Sequence, residues 1–482
     1  MRSSGFGVRS EEFGVWSSER GVRSLEFGAR SSELGVRNAA RPGTPNSAPR
    51  TCIPHSPIRI PQYAPSCYRH GMTQTSPKAG DVIEVITEKI AYGGDAVARH
   101  EGLVVFVPYA APGERVRVRI TEQKRNFARA SIVELLDPSE ARRDPTCNHF
   151  GTCGGCQLQH MSYAAQLEAK GGFVRDAIER IGRIDWPHPI PVRPSAEFGY
   201  RSRARFKIQP IKHTANEESD ASSLNVGFNQ AGSNSVCDIA FCPVLTGDLN
   251  EALAAVRKAA TTQSVPGRLR EVEAASGDSG FSIQPSLAGL SSGAIEVSMS
   301  GTKYCFEPSV FFQSNISMIS GLMEAVAEAH EGELAVDLYC GAGLFTLGLA
   351  RRFRKVIGVE SDPAAARLAR KNLSSNGATN ARVANLSAEE WAKNFGRRGA
   401  SGRVDPPSLI VLDPPRTGAA AAIHHIADIG AKAVTYVSCD PATLARDLRI
   451  LVDKGYQLHE VIAFDLFPQT YHVETVVKLR LR

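Results

Sequence analysis

No apolar run in this chain approaches the roughly 20 residues that a helix needs to cross a bilayer, so no membrane-spanning helix is expected. The opening residues lack a basic head, an apolar core and a small-residue cleavage site, so no secretory leader is read there. A large net charge is missing as well. Residues 1–71 hold ten Arg, five Glu and no Lys or Asp, and so carry five of the six formal positive charges. The rest of the chain is almost neutral, so an RNA-binding surface must be a local patch, and net charge alone decides nothing. Without a secretory context, ten cysteines argue against a disulfide framework. They argue instead for metal binding, catalysis or burial in a reduced, cytoplasmic setting.

What is present divides along the chain. Its 482 residues exceed one ordinary domain. Residues 6–40 repeat a seven-residue unit (FGVRSEE, FGVWSSE, RGVRSLE, FGARSSE, LGVRNAA) with Gly always second. Gly costs about 1 kcal/mol per helical position relative to Ala, which argues against a coiled coil. Pro, Ser and Arg follow up to Cys67, so residues 1–75 are expected to be a disordered tail. Over 78–137, short alternating stretches such as ERVRVRITEQK, separated by Gly93-Gly94 and Pro112-Gly113, predict a small antiparallel β-barrel. Residues 138–312 mix strands and helices, a central α+β domain. From 313 to 482, apolar strands (LAVDLY, KVIGVE, SLIVLD, AVTYVS) alternate with amphipathic helices (PAAARLARKNL, PATLARDLRILV). That pattern predicts an α/β domain with a Rossmann-like parallel sheet.

The first strand of that domain leads into AVDLYCGAGLFTLGLA. Asp337 ends the strand, Gly341 and Gly343 turn the chain, and a helix follows. Glycines let backbone approach a ligand at the carboxyl ends of parallel strands, and Glu360, at the end of the next strand, suits ribose hydroxyls. The loop has neither the third Gly of GxGxxG nor a Walker Lys-Ser/Thr, which disfavours NAD and ATP. S-adenosylmethionine fits best. In IVLDPPRTG, Asp413 is followed by Pro-Pro-Arg416, where amine methylases usually carry an aromatic residue. In TYVSCDPATLARDL, Cys439 lies between a strand and a helix, where helix-end potential is expected to lower its pKa, while Asp440 beside it works the other way.

Two further patterns stand apart. Cys147, Cys153 and Cys156 follow C-x5-C-x2-C, and Cys242 can supply a fourth thiolate; the spacing leaves zinc and iron–sulfur open. Cys237 is read as a bystander. In YRSRARFKI, Arg201, Arg203, Arg205 and Lys207 recur at period two, a basic strand face expected to bind phosphate.

Together CNHFGTCGGCQLQH, FFQSN, DLYCGAG, VLDPPR, YVSCDPATLARDL and HVETV resemble the RNA uracil-5-methyltransferase family, above all its bacterial 23S ribosomal RNA branch, over about 78–482. The resemblance implies a class I methyltransferase domain preceded by a TRAM-like, OB-like RNA-binding barrel. It places Gln313, Tyr339, Glu360, Asp413 and Asn385 in the S-adenosylmethionine site, Cys439 as nucleophile and Glu474 as base, and it favours a 4Fe–4S cluster on the four cysteines. Tyr339 stands where Phe is frequent and Asp440 where Asn is frequent. The chemistry accounts for these residue types: a thiolate added to uracil carbon 6 makes carbon 5 nucleophilic, and a carboxylate later removes the carbon 5 proton. Phe311 can stack on a flipped base. The implied partner is structured RNA, ribosomal before transfer RNA, and the protein is expected to be monomeric. An inactive RNA-binding relative is the alternative, but it would have lost the cysteine or the base.

Overall fold

A computed structural model describes residues 77–210, 224–262, 269–328, 330–395 and 405–482; the expected tail over 1–75 lies outside them. Strands β1 (Val82–Ile90), β2 (Ala96–His100), β3 (Leu103–Val107), β4 (Arg115–Gln123) and β5 (Phe127–Asp137) close into a barrel in the order β1-β2-β3-β5-β4. Its interior is filled by alternate small or branched residues, among them Val85, Ala98, Val105, Val116 and Val118, as a narrow barrel requires. Register shifts in β1 and along β4–β5 bend the strands far enough to close.

Helix α1 (Tyr163–Arg180) and strand β6 (Val192–Arg193) come next. Strands β7 (Arg203–Pro210), β8 (Leu224–Asn229), β9 (Val236–Asp238), β10 (Glu271–Gly277) and β11 (Gly280–Gln284) form a five-stranded sheet in the order β11-β10-β7-β8-β9. Helix α2 (Gly247–Thr262) covers it through Leu249, Leu253 and Val256. A hairpin, β12 (Ile295–Met299) with β13 (Thr302–Phe306), leads to the last unit.

That unit contains α3 (Ile316–Ala327), β14 (Gly332–Leu338), α4 (Leu344–Ala350), β15 (Phe353–Glu360), α5 (Pro363–Ser375), β16 (Ala381–Asn385) and α6 (Ala388–Asn394). It continues with β17 (Leu409–Leu412), α7 (Ile423–Ile429), β18 (Ala433–Ser438), α8 (Pro441–Asp453), β19 (Tyr456–Phe464) and β20 (Glu474–Leu481). The strands assemble as β16-β15-β14-β17-β18-β20-β19-β6. The five strands from β16 to β18 are parallel, as the βα alternation predicts, whereas β20 runs antiparallel between β18 and β19. Alternate side chains of each strand feed a separate core on either face. Ala335, Val411 and Val437 pack with α3 and α4, while Val336, Leu412 and Tyr436 pack with α7 and α8. The second core also holds Val174 and Ile178 of α1, and β6 pairs with β19, so residues from the middle of the chain complete the eight-stranded sheet. Among the described residues, no helix is long and apolar enough to cross a membrane.

Candidate active site

Asp337, Glu360, Asp413 and Cys439 stand at or just past the carboxyl ends of β14, β15, β17 and β18, the edge at which open α/β sheets bind ligands. After β14, left-handed backbone at Tyr339 (φ 65°), Gly341 (φ 52°) and Gly343 (φ 87°) folds the chain back into α4. A Cβ on Gly343 would lie 3.3 Å from Cβ of Ala369, so glycine also lets the loop lie against α5. Tyr339 adopts this conformation with a side chain, at a cost of about 1–2 kcal/mol. Oε2 of Glu360 accepts from the Gly341 amide (2.9 Å), and its Oε1 accepts from the Asp362 amide (2.7 Å). Glu360 thus pins the glycine loop. Asn385, opposite Glu360 in register, donates to the carbonyls of Glu360 (2.8 Å) and Ser361 (3.0 Å) and fixes the strand end. Gln313 is buried in the loop before α3, and among the described residues no hydrogen bond joins it to these acids.

Asp337, which the sequence marks only as the end of the strand, is given no role there. It is fully buried: Oδ2 accepts from Oγ1 of Thr346 (2.5 Å), while Oδ1 has no partner. Burial pushes its carboxyl up to about 7, with Glu360 adding to the effect, and burial and then Asp337 push Asp413 up to about 7. A buried, unpartnered carboxylate oxygen among acids suits a cationic ligand rich in donors. The ammonium, sulfonium and hydroxyl groups of S-adenosylmethionine have that character.

The nucleophile candidate and the base candidate converge from different strands. Ser438 pairs with Thr475 across β18 and β20, which sets Cys439 beside Glu474. Burial holds Glu474 well above the usual carboxylate range, Asp413 raises it further and Arg416 opposes the shift. The Cys439 thiol is pushed up to about 12, first by burial and then by Glu474, with Asp413 and Asp440 adding and Arg416 opposing. This reverses the expected lowering at the helix end. The main physical reasons are burial and the neighbouring Glu474; in addition, Oδ1 of Asp440 accepts from the amides of Ala442 (3.0 Å) and Thr443 (2.9 Å), so a carboxylate already occupies the positive end of α8. Arg416 also contacts Nε2 of His472 (3.2 Å), whose burial holds it neutral, with a pKa lowered to about 3. The Arg416 loop is held by Asp447, a buried acid on α8 that accepts from the Ala419 amide (2.7 Å) and the Tyr436 hydroxyl (2.7 Å). An Asp on the apolar stripe of that helix was the signal in the sequence.

Phe312 is core, stacked on Phe306 with centroids 4.4 Å apart, whereas Phe311 is 62% exposed. The basic strand does not offer the free face expected of it. Arg203 donates to the carbonyls of Phe312 (3.1 Å) and Pro308 (2.7 Å), Arg205 pairs with Glu273 (2.5 Å) and Lys207 pairs with Glu271. Acids on the adjacent strand β10 neutralise it, and such pairing is invisible in the strand's own sequence. Arg203 instead shapes the loop that carries Phe311 and Gln313.

Cys147, Cys153, Cys156 and Cys242 line one cavity together with Arg201 and Phe228. Burial is the first cause pushing Cys153 up to about 11, Cys156 up to about 12 and Cys242 above its usual value. Buried thiols of this kind become thiolates when a metal takes the sulfur. Among the described residues, no three His, Cys, Asp or Glu side chains are drawn together closely enough to hold a single metal ion. Cys237 does not line the cavity; its Sγ lies 3.7 Å from Nδ1 of His149.

Comparison with known proteins fits this geometry. Residues 292–482 match the family profile described as tRNA (uracil-5-)-methyltransferase, and 78–133 match the TRAM domain. A 23S rRNA (uracil(1939)-C(5))-methyltransferase of Vibrio parahaemolyticus is 32% identical over 81% of this chain and 94% of its own. The protein of the same name in Klebsiella pneumoniae (strain 342) is 32% identical over 83% and 96%. The chain belongs to the S-adenosylmethionine-dependent RNA uracil-5-methyltransferase family. A solved structure of this kind, the tRNA (uracil-54, C5)-methyltransferase of Pyrococcus abyssi in complex with S-adenosyl-L-homocysteine, superposes with a TM-score of 0.62 at 25% identity. It aligns over 82% of this methyltransferase and all of that chain.

Proposed function

We propose that this methyltransferase modifies carbon 5 of one uridine in 23S ribosomal RNA, working as a monomer in the cytoplasm, with Cys439 as nucleophile and Glu474 as base. The observation that carries the chemistry is the meeting of Cys439 and Glu474 beside the acids at the cofactor edge. Cys439 adds to carbon 6 of the uracil, and electron density moves to carbon 5. S-adenosylmethionine, when bound, supplies the electrophilic methyl group; Asp337, Glu360, Asp413, Gln313 and Tyr339 would hold it, and Asn385 fixes the strand end beneath. Glu474 then takes the carbon 5 proton, and the re-formed double bond expels Cys439. The upward shift of Glu474 makes its carboxylate, once ionised, a stronger base. Exposed Phe311 is placed to stack on an extruded base.

The ribosomal assignment rests on the barrel, the cysteine cavity and the activity named for relatives that match most of the chain. Mapping 5-methyluridine across all RNAs of a strain with and without the gene tests it. Loss of one 23S rRNA site is expected; loss of a transfer RNA site instead would move the substrate.

Cys147, Cys153, Cys156 and Cys242 would hold a 4Fe–4S cluster, which would tie the 147–156 loop to the segment before α2. The shared cavity and the buried thiols support this reading. Protein purified without oxygen is expected to be brown, with about four irons per chain. Serine at any one of the four positions should bleach it. Stoichiometric zinc in colourless protein would overturn the iron assignment.

A further inference from the structure

The turn between β1 and β2 of the barrel reaches the nucleophile. Tyr92 lies in this turn, and its hydroxyl stands 3.4 Å from the carbonyl oxygen of Cys439 and 3.4 Å from Oδ2 of Asp440. The ring is held on two sides, edge-on to Phe173 of α1 (5.8 Å) and to Tyr471 (5.3 Å). The turn itself sits tightly, since a Cβ on Gly94 would come 2.7 Å from Cβ of Gln157. Lys89 on β1 pairs with Asp176 on α1. The hydroxyl is therefore delivered from a fixed base rather than from a loose loop.

The carboxylate of Asp440 has two separate engagements. Oδ1 caps α8 through the Ala442 and Thr443 amides, while Oδ2 faces the barrel tyrosine. An unscreened negative charge one residue from the thiol opposes thiolate formation. We propose that Tyr92 is a positioning residue: it donates to Oδ2 of Asp440, draws that charge away from Cys439, and so couples the RNA-binding barrel to the reactivity of the nucleophile. The phenol can serve as a donor throughout the working pH range, because burial and then Asp440 keep its pKa well above the usual tyrosine value. Other groups set the thiol too: Glu474 on β20, Asp413 after β17 and Arg416 in the following loop. Tyr471 and His472 stand next to Tyr92 and Arg416. None of these changes when the phenolic hydroxyl alone is removed.

The inference rests on Cys439 being the nucleophile, so the test includes a readout that does not. Tyr92→Phe keeps both ring contacts and removes only the donor. Alkylation of Cys439 by iodoacetamide, followed at that peptide by mass spectrometry, is compared for wild type, Tyr92→Phe, Asp440→Asn and the double variant of the full chain. Between about pH 7 and 9, well below the thiol pKa, a pKa change appears as a parallel offset in log rate. Tyr92→Phe is expected to slow alkylation by roughly three- to ten-fold, half to one pH unit, and Asp440→Asn to speed it. In the Asn background, Tyr92→Phe should change the rate by less than about two-fold, because the charge it screens is gone. The kcat for methylation should follow the same order while KM for S-adenosylmethionine holds. An equal effect of Tyr92→Phe in both backgrounds, or none in either, overturns the coupling. Methylation by Cys439→Ala with the alkylation order intact would instead sink the nucleophile assignment and leave the Tyr92–Asp440 contact standing.

Discussion

Glu474→Gln is expected to arrest the enzyme after methyl transfer, with methylated RNA attached to the protein through Cys439. Neither addition to carbon 6 nor methyl transfer needs the carboxylate; only removal of the carbon 5 proton does. Glutamine keeps the shape of a side chain buried at the start of β20, and the native carboxyl is already held toward its neutral form, so the fold should tolerate the exchange. Loss of a positioned general base costs about two to four orders of magnitude, so the adduct should accumulate. RNA labelled in its backbone would show it as a shifted band on a denaturing gel. Cys439→Ala should give neither product nor band, and the double variant should lose the band. Normal turnover by Glu474→Gln would move the base elsewhere. Methylation by Cys439→Ala would end the covalent mechanism.

The second large effect is on stability. Lys170 of α1 and Asp465 after β19 are both fully buried, and Nζ of the lysine donates to Oδ1 of Asp465 (2.5 Å) and to the carbonyl of Phe467 (3.0 Å). Burial pushes the lysine down and the aspartate up, and each partner's charge opposes the other's shift. The pair anchors segment 465–472, which leads into Glu474 and contains Gln469, in left-handed backbone (φ 70°). The Gln469 carbonyl accepts from the amides of Gln157 and Leu158, and its side chain bonds Arg143 and Gln166. Lys170→Met leaves a buried carboxylate whose Oδ2 already has no partner, and should destabilise the protein by about 3–5 kcal/mol. Lys170→Met with Asp465→Leu removes both charges and should recover most of that loss. Urea denaturation midpoints measure both. A single variant as stable as wild type would show that the pair contributes little and that other contacts anchor the segment.

Much of this protein could be read along the chain because local rules decide it. Alternating residues over 78–137 specify strands with one buried face, and the βα rhythm after 313 specifies a parallel sheet with its ligand edge at Asp337, Glu360, Asp413 and Cys439. Those residues lie at strand ends, and a strand end can be seen in sequence. The candidate site residues were legible for the same reason, each sitting in a short motif whose chemistry depends on near neighbours. What the sequence left open depends on groups far apart along the chain. Arg205 and Lys207 are neutralised by acids more than sixty residues away, so a basic stripe became an ion-paired face. The reactivity of Cys439 follows from burial and from Glu474, Asp413 and Arg416, which the fold brings to it, and these outweigh the helix end that the local sequence suggested. Likewise, the antiparallel place of β20, the eighth strand taken from residues 192–193 and the approach of Tyr92 to the nucleophile are decided by packing. Residue spacing fixes which side chains share a face; only the folded chain fixes which charges and donors meet across it.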